Sequence, residues 1–306
     1  MQITVWLESL RPTCPSRVSG ARRTCYNSAI AVGRRTGNPA HAMKPGRLRK
    51  RWQRALTASL KRSETLLRRR GPLNAAAVHD LRVALRRARL LLQLGNRHDD
   101  GQRIRRFRTA ARQIMDALAP VRDFDVTLQW VRARQASPAL LTRVLHERAK
   151  SWQPAERQLR TLRREARPPK SRALAKVGAE KLTARFTQWR HALAARCRAD
   201  AARAATFATP ELHALRRRIR RWRYLEELLL SRREVVHNPV VRALTAAQEV
   251  LGAVQDLEVI GHSLVRCGRS REVTQLRRQV QTELNQHRQT APGQTALQAL
   301  PRKLEA

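Results

Sequence analysis

Aromatic residues are scarce, making up 4% of the 306 residues. Proteins that hold single-stranded nucleic acid usually stack bases on exposed aromatics, so an extended stacking platform is excluded. Acidic residues are also few: 23 stand against 64 Lys and Arg, leaving a formal charge of +41. Self-repulsion at that charge destabilises a compact state unless a polyanion or salt relieves it. The partner expected is anionic and polymeric, with nucleic acid, an anionic membrane and polyphosphate as the candidates. Four cysteines, at 14, 25, 197 and 267, show no metal-ligand or redox spacing, and Cys197 and Cys267 read as reduced residues in or beside a core. No apolar run is long enough to cross a bilayer. The first residues lack the charged, apolar and small-residue order of a secretory signal. A cytoplasmic protein with no membrane insertion is expected. There is no zinc-finger spacing, no evident helix-turn-helix signature and no Gly-rich loop followed by Lys and Ser/Thr. No alternating strand pattern of useful length occurs, which leaves an all-α chain.

What the sequence does contain is a cationic helix, written twice. In Val78–Leu92, Leu81, Ala84, Leu85, Ala88, Leu91 and Leu92 share one side of a helical projection. His79, Arg82, Arg86 and Arg89 fall in a sector roughly 80° wide beside it, with Arg87 outside that sector. A charge run on one helix is ordinarily its solvated face. Here the pattern returns about 134 residues later in Leu212–Leu225. His213, Arg216, Arg220, Arg221 and Arg223 repeat His79, Arg82, Arg86, Arg87 and Arg89. Leu215, Ile219, Trp222, Leu225 and Leu229 repeat the apolar side, and Arg218 alone falls on its flank. Duplication of both the core face and the basic edge favours function over random solvation.

Residues 1–46 carry scattered Pro and Gly without a sustained period and read as a disordered extension. Met43 opens a more regular segment, so the preceding residues read as an upstream extension of the start. They hold six arginines and one acid, so +36 of the charge belongs to the rest of the chain. From Arg47 the expected helices are 47–70, a second capped by Asn74 and ending near Gly95, and 102–134 kinked or divided at Pro120. A fourth spans 138–167 with Pro154 inside it, and Pro168-Pro169 is the best internal boundary. The series restarts with helices at 171–207, from Thr209-Pro210, from Asn238-Pro239, and at 271–288. Residues 47–168 and 169–290 thus read as two four-helix units, followed by a flexible tail at 291–306.

A second element is also duplicated. Leu118–Val126 matches Leu251–Val259, placing Asp123 opposite Asp256 in register and Arg122 opposite Gln255. Those carboxylates are candidates for orienting arginines of the basic edge through charge-assisted hydrogen bonds. Arg47 with Arg51, and Lys181 with Arg185, correspond under the same offset and are candidate groove walls.

The His-x-x-Arg-Val-x-x-Arg-Arg-x-Arg helix at 79–89, its copy at 213–223 and Val-Arg-Asp-Phe-Asp-Val at 121–126 resemble the CHAD domain family, the conserved histidine α-helical domain. The resemblance covers about Arg47 to Arg288. It implies two pseudo-symmetric antiparallel four-helix bundles facing each other across a basic groove or pore. It also implies binding of inorganic polyphosphate and association with polyphosphate granules. Asp123 and Asp256 each lack a nearby carboxylate pair at ligand spacing, so no metal or cofactor is expected. The implied binding positions are His79, Arg82, Arg86, Arg87 and Arg89, with His213, Arg216, Arg220, Arg221 and Arg223; Arg122, from the second duplicated segment, is a further candidate contact, ahead of Gln255. Arg217 stands where the pattern has Val and adds a cation to the second copy, while Gln255 replaces the Arg before Asp. Many relatives join this domain to a triphosphate-tunnel domain, which needs strands and an alternating Glu-x-Glu-x-Lys segment. Neither is present, so the chain reads as a stand-alone binding domain rather than an enzyme.

A linear phosphate polymer requires repeated cationic donors at helical spacing and no base readout. Arginine forks engage phosphate oxygens in pairs and keep their charge at any working pH. Protonated histidine adds charge and a donor, so affinity is expected to rise as pH falls from about 8 to 6. Weak, non-specific nucleic-acid binding is the competing reading. An enzyme of polyphosphate metabolism is a more distant alternative.

Overall fold

The computed structural model describes residues 43–95, 102–167, 177–289 and 297–300, and every regular element among them is helical. The first set is α1 (Pro45–Leu67), α2 (Ala75–Gly95), α3 (Gln102–Ala117), α4 (Ala119–Ala133) and α5 (Pro138–Leu162). The second is α6 (Ala179–Ala202), α7 (Thr209–Leu229), α8 (Arg232–His237), α9 (Pro239–Arg266) and α10 (Arg271–Gln289), with a 3₁₀ turn at Ala204–Thr206. Of the extension expected to be disordered over 1–46, residues 1–42, with Cys14 and Cys25, lie outside the described residues, as does the Pro168-Pro169 boundary. Pro45 and Gly46 already belong to α1, Pro45 opening its first turn.

Helix starts follow local chemistry. The Asn74 side chain accepts from the Ala77 amide at 2.9 Å, Ser137 from Leu140 at 3.2 Å, and Asn238 from Val241 at 3.0 Å. Pro45, Pro138 and Pro239 each occupy a first-turn position, where a missing N–H costs nothing. Pro120 divides the expected 102–134 helix into α3 and α4, while its counterpart region in α9 runs unbroken through Gly252. Pro154 does not interrupt α5. It is exposed, and the Lys150 carbonyl it leaves unbonded lies on the water side. The short α8 was not expected, although Ser231-Arg-Arg-Glu234 is a capping box. The Glu234 amide donates to the Ser231 hydroxyl at 3.3 Å, and the Ser231 amide donates to the Glu234 carboxylate at 2.5 Å.

The periodic apolar faces are buried as their spacing requires. Leu81, Ala84, Leu85, Ala88, Leu91 and Leu92 of α2 are buried, as are Leu215, Ile219, Trp222, Leu225 and Leu229 of α7. Two apolar cores result. One gathers α1, α2, α3 and the second half of α5, and it also receives Leu182 and Phe186 of α6 and the last turn of α7. The other gathers α7, α9 and α10, and it takes in Phe124, Leu128 and Val131 of α4 and Leu140 and Val144 of α5. Part of the tail expected to be flexible is instead packed: Leu297 and Leu300 are buried against this second core. Direct packing of α4 on α9 and of α1 on α6 locks the two halves of the chain together. That packing brings the basic edges of α2 and α7 into one neighbourhood. Cys197 and Cys267 are buried free thiols, Cys197 being pushed up to about 12 by burial.

Candidate anion-binding site

Because the leucine faces of α2 and α7 turn inward, their arginine edges project beside α4 and α9. Arg82 donates to the Met115 carbonyl at the end of α3. Its burial, together with Arg86 and Arg122, depresses its pKa to about 10, against the pull of Asp123 and Asp116. On the other side, Arg216 donates to Gln255 of α9. Burial lowers its proton affinity first, and Arg86 and Arg122 from the first half lower it further, opposed by Asp256. Arg220 is depressed by burial and then by Arg86, Arg216 and Arg223. Arginine does not surrender its proton at neutral pH. These depressions measure how crowded and poorly solvated the positive charge is.

The two halves meet at this cluster. Arg86 and Arg122 act on Arg216, and Arg86 acts on Arg220. Asp123 and Asp256 lie close enough that Asp256 raises the Asp123 pKa, although burial is the larger cause. Asp256 is likewise raised by burial and drawn down by Arg216 and Arg122. Each aspartate therefore stands near arginines of the basic edge, but neither forms a side-chain hydrogen bond or ion pair among the described residues. Two carboxylates do not neutralise the five guanidinium groups of Arg82, Arg86, Arg122, Arg216 and Arg220. Arg86, Arg122 and Arg220 form no side-chain hydrogen bond or ion pair among the described residues. The Nε atoms of Arg89 and Arg216 are shielded from solvent and lack an acceptor. Buried donors without acceptors are uncommon, and two on the basic edges mark a place for an anion.

Gly252 makes room for this arrangement. A Cβ there would stand 3.1 Å from the Arg216 Nη2 atom. The matching position in the first copy is Ala119, so the duplication hid the role of this glycine.

The remaining motif residues divide by what they touch. Arg89 is depressed by burial and by Arg108 and Arg112 of α3, with Arg221 adding its charge from the other half. Arg217 and Arg221 are exposed, with no side-chain partner among the described residues. Arg87 and Arg223, by contrast, share Glu227: Arg87 pairs with its Oε2, and Arg223 lies 3.4 Å from its Oε1. Both guanidiniums also lie over the Tyr224 ring, at 4.7 and 5.5 Å. The pairing of Arg223 with Glu227 at i,i+4 was legible, whereas the reach from Arg87 was not. Arg218, on the flank of the apolar face, pairs with Asp200.

The two histidines are not equivalent. His79 is exposed on the cationic cluster, where partial burial and the charges of Arg122, Arg86 and Arg82 hold its pKa below 6.5, opposed by Asp80. His213 places Nε2 3.1 Å from Glu258 without hydrogen-bond alignment. Glu258 also accepts from Thr209 at 2.7 Å and Arg288 at 2.9 Å. The residue matching Glu258 in the first copy is Asp125, and Arg148 engages it at 2.6 Å. His79 is thereby left to the cations.

Two of the four candidate wall residues have other work. Arg51 donates to the carbonyl of Leu229, the last residue of α7, and Arg185 donates to Leu94 near the end of α2 at 2.9 Å. Each places a cation on a helix C-terminus in the opposite half, where unpaired carbonyls and the helix dipole favour it. Arg47 is exposed and, with Arg51, acts on Glu234, and Lys181 is exposed. Among the described residues no group of three or more His, Cys, Asp or Glu is arranged to hold a metal, and no helix is long and apolar enough to cross a membrane.

Comparison with known proteins agrees with this construction. No curated protein matches the sequence. The chain is similar in structure to the CHAD domain from the plant Ricinus communis, with a TM-score of 0.56 and 22% identity over 83% of this chain and 92% of that one. At that identity the likeness speaks for the fold. A family model described as CHAD domain matches residues 51–265. That span contains both histidine helices and both aspartate segments, and the chain belongs to the CHAD domain family.

Proposed function

We propose that this protein binds inorganic polyphosphate along the cationic edges of α2 and α7 and holds it without cleaving it. In this reading the two halves are pseudo-symmetric four-helix units that meet across a basic groove. The protein accompanies polyphosphate granules in the cytoplasm. The observation that carries the reading is the set of Arg86, Arg122 and Arg220, gathered from both halves and left without a side-chain hydrogen bond or ion pair among the described residues. Crowding cations into partial burial costs free energy, and a polyanion that replaces lost water with charge-assisted hydrogen bonds offsets that cost. Trp52, Trp152 and Trp222 are buried in the cores, which removes three flat surfaces a single-stranded nucleic acid could use.

Competition tests the assignment. Long-chain polyphosphate immobilised on beads should retain the protein in the presence of DNA at equal phosphate concentration, and free polyphosphate should release it. Release by DNA at parity would favour the nucleic-acid reading. With magnesium or manganese present, no phosphate should be liberated from the chain, and measurable release would instead indicate catalysis.

The pH profile follows from the cluster. His79 titrates below 6.5 in the ligand-free protein because burial and neighbouring arginines disfavour its charge. A phosphate chain laid beside it favours the charged form, so binding takes up a proton. Affinity should rise as pH falls from about 8 and keep rising below 6.5 until the ligand-free pKa is passed. One proton sets a limit of about tenfold per pH unit. Asp123 and Asp256, both raised by burial, should extend the rise at lower pH, since their neutral forms do not repel phosphate. Titrations at pH 8, 7, 6 and 5 on wild type and His79→Gln check this. The variant should lose the part of the slope nearest neutrality, whereas a flat wild-type profile would remove His79 from the site.

A further inference from the structure

A cavity of about 270 Å³ lies outside the cationic edge, enclosed by the last turn of α1, the Gly71 turn, α2 and α5. It shares no residue with the phosphate-facing set. Its floor is apolar: Leu66, Leu73, Leu81, Trp152 and Leu159 all line it and are all buried. Its rim is basic, with Arg69, Arg70, Arg160 and Arg163 against the single acid Glu156. Glu156 is committed to Arg160 at 2.8 Å, and Arg163 donates to the Arg69 carbonyl at 3.2 Å. The side chains of Arg69 and Arg70 are exposed and have no partner among the described residues. Gly71, at φ +76°, turns the chain beside them, with open space where a Cβ would stand.

A bare phosphate chain has no use for a leucine and tryptophan floor. A hydrocarbon body does, because it adds dispersion contact to apolar side chains that already lie largely out of water.

We infer that this cavity binds a small organic acid with an apolar body. The body rests on the leucines and Trp152, and the carboxylate is gripped by Arg69 and Arg70, whose forked donors match its two oxygens. The volume is at the small end of ligand sites, which suits a medium-chain acid rather than a long lipid.

The full chain titrated with octanoate, followed by tryptophan fluorescence and thermal melting, tests the assignment. Octanol and inorganic phosphate serve as matched probes lacking one half of the chemistry. Octanoate should saturate and raise the melting temperature, with octanol and phosphate about tenfold weaker or more, the loss of one charge-assisted or one apolar component. The double variant Arg69→Ala/Arg70→Ala changes only exposed side chains. It should lower octanoate affinity about tenfold, the worth of one charge-assisted contact, and leave polyphosphate binding within about twofold. Leu159→Trp fills the floor and should abolish octanoate binding. If it does not fold, the arginine variant decides alone. Equal binding of phosphate, equal binding of octanol, or no saturable binding of octanoate would each overturn the inference. None of these outcomes bears on the polyphosphate reading, which involves different residues.

Discussion

Replacing Arg86 and Arg220 together by alanine should weaken polyphosphate binding by roughly 10² to 10⁴-fold, while the ligand-free protein melts at the same temperature or higher. Each charge-assisted hydrogen bond contributes about 1.5–3 kcal/mol, and two such losses give that range. The stability half of the expectation has the opposite sign. Arg86 is among the groups that depress Arg220, and neither has a partner among the described residues. Their removal takes away repulsion and no side-chain hydrogen bond or ion pair among the described residues. A residue kept for folding would lose stability on truncation, whereas one kept for an anion loses binding and relaxes the empty protein. Isothermal titration with polyphosphate of defined length, beside denaturant unfolding of the same variant, reads both quantities. Arg217→Ala, which removes an exposed cation from the same helix, should weaken binding much less. A double variant that unfolds more easily and binds normally would refute the role given to these two arginines.

The largest stability effect should come from the other core. Glu226, 4% exposed, accepts from Arg190 at 2.8 Å and from the Trp222 indole at 2.7 Å. Arg190 is itself 7% exposed. Glu226→Leu strands the Arg190 charge among apolar side chains, and losing one partner of a buried pair costs about 3–5 kcal/mol. At about 2–4 °C per kcal/mol for a protein of this size class, melting should fall by about 6–20 °C. Removing both charges, in Glu226→Leu/Arg190→Leu, should recover most of that loss, because no unpaired charge remains. Guanidinium unfolding with an unchanged slope would establish that stability, rather than the unfolded state, has moved. A single variant within about 1 kcal/mol of wild type would mean that Arg190 finds water or another acceptor. Neither residue belongs to the cationic edge, so folded variants should keep their phosphate affinity.

The elements that sequence pattern located are those set by near neighbours. Leu81, Leu85, Ala88 and Leu92 recur at helical intervals, and burying any one of them on a helix commits the others to the same side. Asn74 and Asn238 cap their helices because the amide they satisfy is three residues away. Pro120 ends one helix and opens the next for an equally local reason. The Ser231–Glu234 capping box is equally local, its two hydrogen bonds spanning three residues.

Duplication carried the reading further than local pattern alone. Matching copies pointed to the histidine helices and to Asp123 with Asp256, all of which touch the cluster or stand beside it. The same matching misled wherever the copies diverged in their surroundings. His79 and His213 occupy equivalent places, yet Glu258 attends one while Arg148 removes Asp125 from the other. Arg51 and Arg185 also correspond, and both spend their donors on helix ends across the molecule.

The sequence by itself determined the helices, their buried faces and the presence of two basic edges, because each depends on residues three or four positions apart. It could not decide which arginines remain available. That depends on the supply of acceptors, and the acceptors come from far along the chain: Glu227 for Arg87, Leu229 for Arg51, Met115 for Arg82. Only the packing of α4 on α9 and of α1 on α6 settled this distribution and left Arg86, Arg122 and Arg220 without a hydrogen bond or ion pair among the described residues.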